Sequence, residues 1–419
     1  MNTPSRLRRI TAHDVFSEII NLKQVLLEVT DDCNLACKYC LYGNLYGGFD
    51  HQQIHYLRFE DVKTIFDYLL DIWKAHKPLA EQSVTFIGFY GGEPLLNFDL
   101  IQKVVEYVER LDVARLFRFN MTSNCLLLDR YMDFLAEKEI GLLCSLDGDK
   151  IADGHRVRKD GSSSFDQVFS NIKLLQAKYP DYFQRFVSFN SVLHNLNSVQ
   201  ATNAFIETEF GKTASFSELS PVGVRPEKVQ EFKRTFQNLN ESLHSTNDYD
   251  TLRLKLGAFD PEIQTVMRYL EASEDNVFYS YSDLLYRGDG PKELSTGTCI
   301  PFSRKLFLTV DGKLLPCERI PHRFSFGSVA NGLVTLDYEA VANSFNGLLD
   351  KMEKQCNGCS RNRFCAQCLY QVGTIDQSCP TCESRMTKEQ YQRFQNSVYR
   401  YLYEHPETYE FIMEKIMVE

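Results

Sequence analysis

Over roughly its first two hundred residues the chain alternates short apolar runs with longer stretches whose apolar residues recur every three or four positions. The runs Val25–Thr30, Val84–Tyr90, Leu116–Thr122, Gly141–Leu146, Phe186–Leu193 and Ala214–Leu219 predict strands. Between them Glu60–Lys74, Phe98–Leu111, Asp129–Lys138, Phe165–Lys178 and Ser198–Glu209 predict amphipathic helices. Repeated strand-helix units build a parallel sheet, so the fold class is α/β, and the six strands fit a partial (β/α)6 barrel. In such folds the chemistry sits at the carboxyl ends of the strands. The barrel is expected over residues 1–225 and a helical bridge over 226–295. A cysteine-rich extension over 296–385 begins with a hairpin around Asp311-Gly312, and closing helices fill 386–419.

Composition narrows the reading. With 43% hydrophobic and 24% charged residues the chain is an ordinary folded protein. No apolar run approaches the roughly 20 residues of a membrane helix, and no signal-peptide pattern opens the chain, so a cytoplasmic location is expected. A formal charge of -10 argues against a nucleic-acid partner. Thirteen cysteines cannot serve as a stable disulfide framework in a reducing compartment, which makes metal the better use for them.

Immediately after the first strand, Cys33, Cys37 and Cys40 are spaced C-x3-C-x2-C in one loop. Three thiolates can hold three irons of a 4Fe-4S cube and leave the last iron open to chelate a small molecule. A zinc loop or buried apolar cysteines are the alternative.

The context decides between them, because C-x3-C-x-aromatic-C, with Tyr39 as the aromatic, resembles the signature of the radical S-adenosylmethionine (SAM) superfamily. In that family the open iron takes the amino and carboxylate groups of SAM. Gly91-Gly92-Glu93-Pro94 after the second strand is similar to the family's GGEP, and the resemblance implies that the Glu93 carboxylate meets the SAM ammonium. Without the family, the same residues are a turn before a helix. Thr122-Ser123-Asn124-Cys125 resembles TTNG, with Cys125 in place of the glycine, and Ser145-Leu146-Asp147-Gly148 resembles SxDG. Arg156 stands where relatives carry an arginine near the SAM carboxylate. Tyr39, Gly91, Gly92, Glu93, Ser123, Asn124, Ser145 and Arg156 are thereby the expected SAM-site residues.

Cys299, Cys317, Cys356, Cys359, Cys365 and the cysteines after them resemble the SPASM extension, which carries two auxiliary 4Fe-4S clusters and would bring the total to three with the SAM cluster. Eight cysteines match two fully ligated cubes. The reading puts Cys299, Cys317 and Cys368 on the nearer cluster and Cys356, Cys359 and Cys365 on the farther. Cys379 and Cys382 complete the set in an order that spacing leaves open, and two zinc sites are the alternative. Cys144, within a strand, reads as a buried apolar residue.

The resemblance implies reductive cleavage of SAM to a 5'-deoxyadenosyl radical and hydrogen abstraction from a ribosomally made peptide, forming a thioether or carbon-carbon crosslink. Sulfatase maturation (formylglycine formation) is the runner-up, and a non-catalytic iron-sulfur or zinc protein is the reading from another class. Glu318, following Cys317, is the candidate catalytic base. A one-electron donor such as a flavodoxin or ferredoxin is implied as partner. The short stretch before the first strand leaves leader recognition to another surface or a separate chain.

Overall fold

The structure is a computed structural model that describes residues 7, 9–47, 54–78, 83–247, 249–257, 260–273, 296–361 and 365–416. Every expected strand forms: β1 Gln24–Thr30, β2 Val84–Gly91, β3 Leu116–Ser123, β4 Gly141–Ser145, β5 Val187–Leu193 and β6 Ala214–Glu218. They lie side by side in chain order and all run parallel. The helices between them, Phe59–Ala75, Phe98–Val108, Leu128–Glu137, Phe165–Lys178 and Val199–Phe210, match the expected stretches to within about a turn. Sequential parallel order with a helix in each connection is the barrel-type arrangement the pattern implied.

Helices cover one face of this sheet. Val25, Leu27 and Val29 of β1 are buried, as are Val62, Ile65, Phe66 and Leu69 of the first crossover helix. Each such side chain contributes about 1.5–3 kcal/mol by leaving water. The opposite face is polar, because Glu28 pairs in register with Tyr90, Gly88 with Asn120, and Ser145 with Asn190. A polar concave face is where a barrel of this kind can hold a ligand.

Among the described residues the sheet has ten strands, two more than the six barrel strands and the hairpin that the pattern predicted. β7 Leu306–Leu308 adds parallel to β1, then β8 Lys313–Leu315, β9 Gly327–Ala330 and β10 Leu333–Leu336 follow antiparallel. β7 thus covers the β1 edge that would otherwise be left unpaired. The expected hairpin around Asp311-Gly312 forms between β7 and β8.

The chain divides into two compact units that do not follow the expected boundaries. One comprises Phe16–Lys255 and Pro301–Asp337, so residues 301–337 join the barrel instead of a separate extension. The other comprises Met1–Val15, Leu256–Ile300 and Tyr338–Glu419. In this second unit Ile263, Val266, Tyr269 and Leu270 pack with Val398 and Ile412 of the closing helices. Thr387 opens the helix Lys388–Glu404 with a capping box to Gln390. The expected bridge is helical as far as residue 273, and its remainder lies outside the described residues. Among the described residues, no helix is long and apolar enough to cross a membrane.

Candidate active site

The loop after β1 carries Cys33, Cys37 and Cys40, all half-buried. It is held from below by the segment that contains Arg156, through Ala36 N–H to Val157 C=O at 2.7 Å and Lys38 N–H to His155 C=O at 3.1 Å. Burial, then Glu93 and the neighbouring thiols, pushes Cys33 up to about 12. Burial does the same to Cys37 against the opposing charge of Arg156. Among the described residues no three Cys, His, Asp or Glu side chains close to the spacing of a single metal ion. Three thiols within one another's electrostatic reach in one half-buried loop are a donor set that fits a 4Fe-4S cube with one open iron. A cationic cluster would replace their protons.

Gly91 and Gly92 press the end of β2 against this loop. A Cβ on Gly91 would run into the Thr30 carbonyl, one on Gly92 into the Asp32 carbonyl, and Gly91 has φ +126°. These glycines serve backbone-to-backbone contact. Glu93 is buried, and its carboxylate is braced by the protein. It accepts from Ser123 Oγ at 2.8 Å, Asn124 N–H at 2.8 Å and Leu95 N–H at 3.2 Å. Burial raises its pKa despite these bonds. Asn124 carries the brace onward, donating to Asn34 Oδ1 at 2.7 Å beside Cys33. Cys125 adopts φ +61°, the left-handed conformation of the glycine it replaces. Cys125 and Cys144 are both buried and share a hydrogen bond.

Glu93→Ala is therefore expected to lower the thermal unfolding midpoint. It strands the Asn124 amide and the Ser123 hydroxyl in a buried site, at about 1–3 kcal/mol for each unpaired group. Differential scanning calorimetry of the reconstituted variant checks this, and an unchanged midpoint contradicts the bracing role.

Arg156 is also turned inward. It is 7% exposed, donates from Nη1 to Tyr39 Oη at 3.1 Å, and lies 3.7 Å from Asp153 Oδ1. Tyr39 in turn donates to Asp147 Oδ2 and stacks on His194, whose Nε2 is 3.3 Å from the same carboxylate. The signature aromatic is thus anchored by the acid of the SxDG segment and by the arginine. Burial raises Cys37 and Cys40, and the guanidinium lies close enough to oppose that rise in both. Ser145 ends β4 opposite Asn190 on the polar face.

On that face three residues join the site that the sequence reading gave no role: Glu28, Tyr42 and Tyr90. The signal was a single charge inside the apolar strand QVLLEVT. Glu28 is fully buried, and it accepts from Tyr42 Oη at 3.1 Å and from Val310 N–H at 3.0 Å. Desolvation pushes it up to about 7. Tyr90 lies within the field of Glu318, Cys40, Arg319 and Glu28. Glu318 itself is tied to Lys305 at 2.9 Å, with Cys317 Sγ 3.6 Å from its carboxylate. Lys305 holds the Glu318 carboxyl below its usual range although burial opposes it.

In the second unit Cys356, Cys359, Cys365 and Cys382 form one group. Burial, then Cys365, Cys382 and Cys359, pushes Cys356 up to about 12. Cys382 is raised by burial and by Cys365 and Cys359. Cys299 acts on Cys368 in the same way, after burial. Cys379 is exposed. Cys382 thus shares the surroundings of Cys356, Cys359 and Cys365. Cys317 belongs to the barrel unit.

Residues 27–207 match the Radical SAM superfamily. The radical SAM cyclopropyl synthase TigE of Paramaledivibacter caminithermalis is 24% identical over 174 residues, 41% of this chain and 35% of TigE, so the chain spans about a third of that relative. A cysteine-type anaerobic sulfatase-maturating enzyme of Clostridium novyi is 24% identical over 366 residues, covering 82% of this chain and 89% of the enzyme. The solved structure of native anSMEcpe with bound AdoMet and the Cp18Cys peptide shares the fold, with a TM-score of 0.58 at 17% identity over 93% of this chain and 98% of that one. With the three-cysteine loop after β1 and the braced GGEP turn, residues 27–207 form a domain that matches the Radical SAM superfamily.

Proposed function

We propose that the chain is a radical SAM enzyme that modifies a polypeptide, forming a thioether or carbon-carbon crosslink. The observation that carries this reading is Tyr90. On the polar face it lies within electrostatic reach of both Cys40 of the first cluster loop and Glu318 beside Cys317, which supports one substrate space served by both. When bound, the cluster and SAM supply the 5'-deoxyadenosyl radical that removes a substrate hydrogen. Cys33, Cys37 and Cys40 would hold that cluster, and Cys317 would contribute to an auxiliary one that could supply an electron acceptor. Asn124 and Arg156 keep the loop and Tyr39 in place. A flavodoxin or ferredoxin would donate the initiating electron, and the precursor peptide, with a separate leader-recognition protein, completes the set of partners.

Each crosslink removes two hydrogens, so a substrate peptide should lose about 2 Da per bond formed. Mass spectrometry after anaerobic co-expression with adjacent short open reading frames tests this. The similarity to the sulfatase-maturating enzyme over 82% of this chain favours a second reading, formylglycine formation in a sulfatase. Modification of a sulfatase with no change in any of the peptides would establish that reading in place of the first.

A further inference from the structure

Beside the first cluster cysteine, one buried donor has no acceptor in the protein. Asn34 follows Cys33 directly, and its Oδ1 takes the Asn124 side-chain amide at 2.7 Å. That bond fixes the orientation of the Asn34 amide, because only its oxygen can accept. Asn34 Nδ2 is therefore the free end, and among the described residues this buried nitrogen has no hydrogen-bond partner. Buried polar groups are almost always paired, so an orphan donor points to an acceptor that the polypeptide does not itself supply. Cys33 Sγ lies 4.0 Å from Oδ1 of the same amide. The sulfur already receives Leu35 N–H at 3.4 Å and Asn124 Nδ2 at 3.7 Å, while the Cys33 N–H is taken by Asp32 Oδ1 at 2.9 Å. Two side-chain amides thus converge on one of the three thiols.

We propose that Asn34 and Asn124 set the reduction potential of the first cluster, with Asn34 Nδ2–H donating to a cluster sulfur and Asn124 Nδ2–H to the Cys33 thiolate. Hydrogen bonds to the sulfurs are one of the levers by which a protein tunes such a cluster. Reduction adds one electron, taken from an external one-electron donor of the flavodoxin or ferredoxin class, and makes or breaks no bond in the protein. The added negative charge spreads onto the sulfurs, where an N–H donor stabilises the reduced form more than the oxidised one. The two amides therefore raise the potential and make the cluster easier to reduce. Glu93 holds this arrangement from beneath by accepting Asn124 N–H at 2.8 Å, so the turn after β2 reaches the cluster through Asn124. The inference rests on the cluster that the loop thiols fit, and it is independent of which substrate is modified.

A redox titration of the anaerobically reconstituted full chain, followed by electron paramagnetic resonance without peptide, tests this. The signal whose g-values shift when SAM is added identifies the first cluster. Asn34→Leu, similar in size but without a donor, should lower the reduced-to-oxidised ratio at a fixed potential about tenfold, which is about 59 mV more negative for one electron. Asn34→Asp keeps the shape, replaces the donor by a carboxylate, and should shift the potential in the same direction. Asn34→Gln, which returns a donor, should recover part of the shift. The potential is read in whichever of the Leu and Asp variants keeps the iron content of the wild type. A potential that is unchanged or raised in that variant overturns the inference. An unchanged potential with weakened SAM binding overturns it too, and gives the Asn34 amide to SAM instead. If the wild type shows no SAM-responsive signal, the cluster assignment itself fails and the inference with it, an outcome distinct from an unchanged potential.

Discussion

Replacing Cys33, Cys37 and Cys40 together by alanine is expected to abolish 5'-deoxyadenosine formation and to lower the iron content of the reconstituted protein from about twelve to about eight per chain. The loop offers three thiols, and its backbone is pinned to residues 155 and 157, so the substitution removes donors without removing the bonds that shape the loop. The four-thiol group of the second unit lies outside this loop and should keep its iron. Anaerobic reconstitution followed by iron analysis and chromatographic detection of deoxyadenosine measures both effects. Continued SAM cleavage by the triple variant would refute the assignment. A wild-type plateau near four irons, with zinc bound, would instead refute the auxiliary clusters.

The second large effect separates two cysteines that the sequence left equivalent. Cys382→Ala should cost about four irons on desalting, because a cube held by three thiolates keeps one labile corner, whereas Cys379→Ala should retain about twelve. The difference follows from placement. Cys382 shares the field of Cys356, Cys359 and Cys365, and its amide is fixed by Gln355 Oε1 at 3.0 Å. Cys379 is exposed on the loop that precedes it. Equal iron loss in the two single variants would show that the farther cluster does not choose between them.

The sequence by itself determined the barrel strands and the first cluster loop, because both are written locally. Apolar runs of five to eight residues specify strands wherever one face is buried, and C-x3-C-x2-C places three thiols in one loop whatever surrounds it. Tertiary structure decided what depends on residues distant in the chain. β9 and β10 are four-residue strands with half-exposed, weakly patterned sequences, and they form because β7 and β8 offer an edge to extend. Only folding brings Ser123 and Asn124, about thirty residues later, onto the two oxygens of Glu93. Glu28 lies 14 residues before Tyr42 and 282 before Val310, so no spacing rule could reveal the buried carboxyl they enclose. Burial and charge pairing are properties of the folded chain. They hold the Glu318 carboxyl below its usual range and push Glu28 up to about 7.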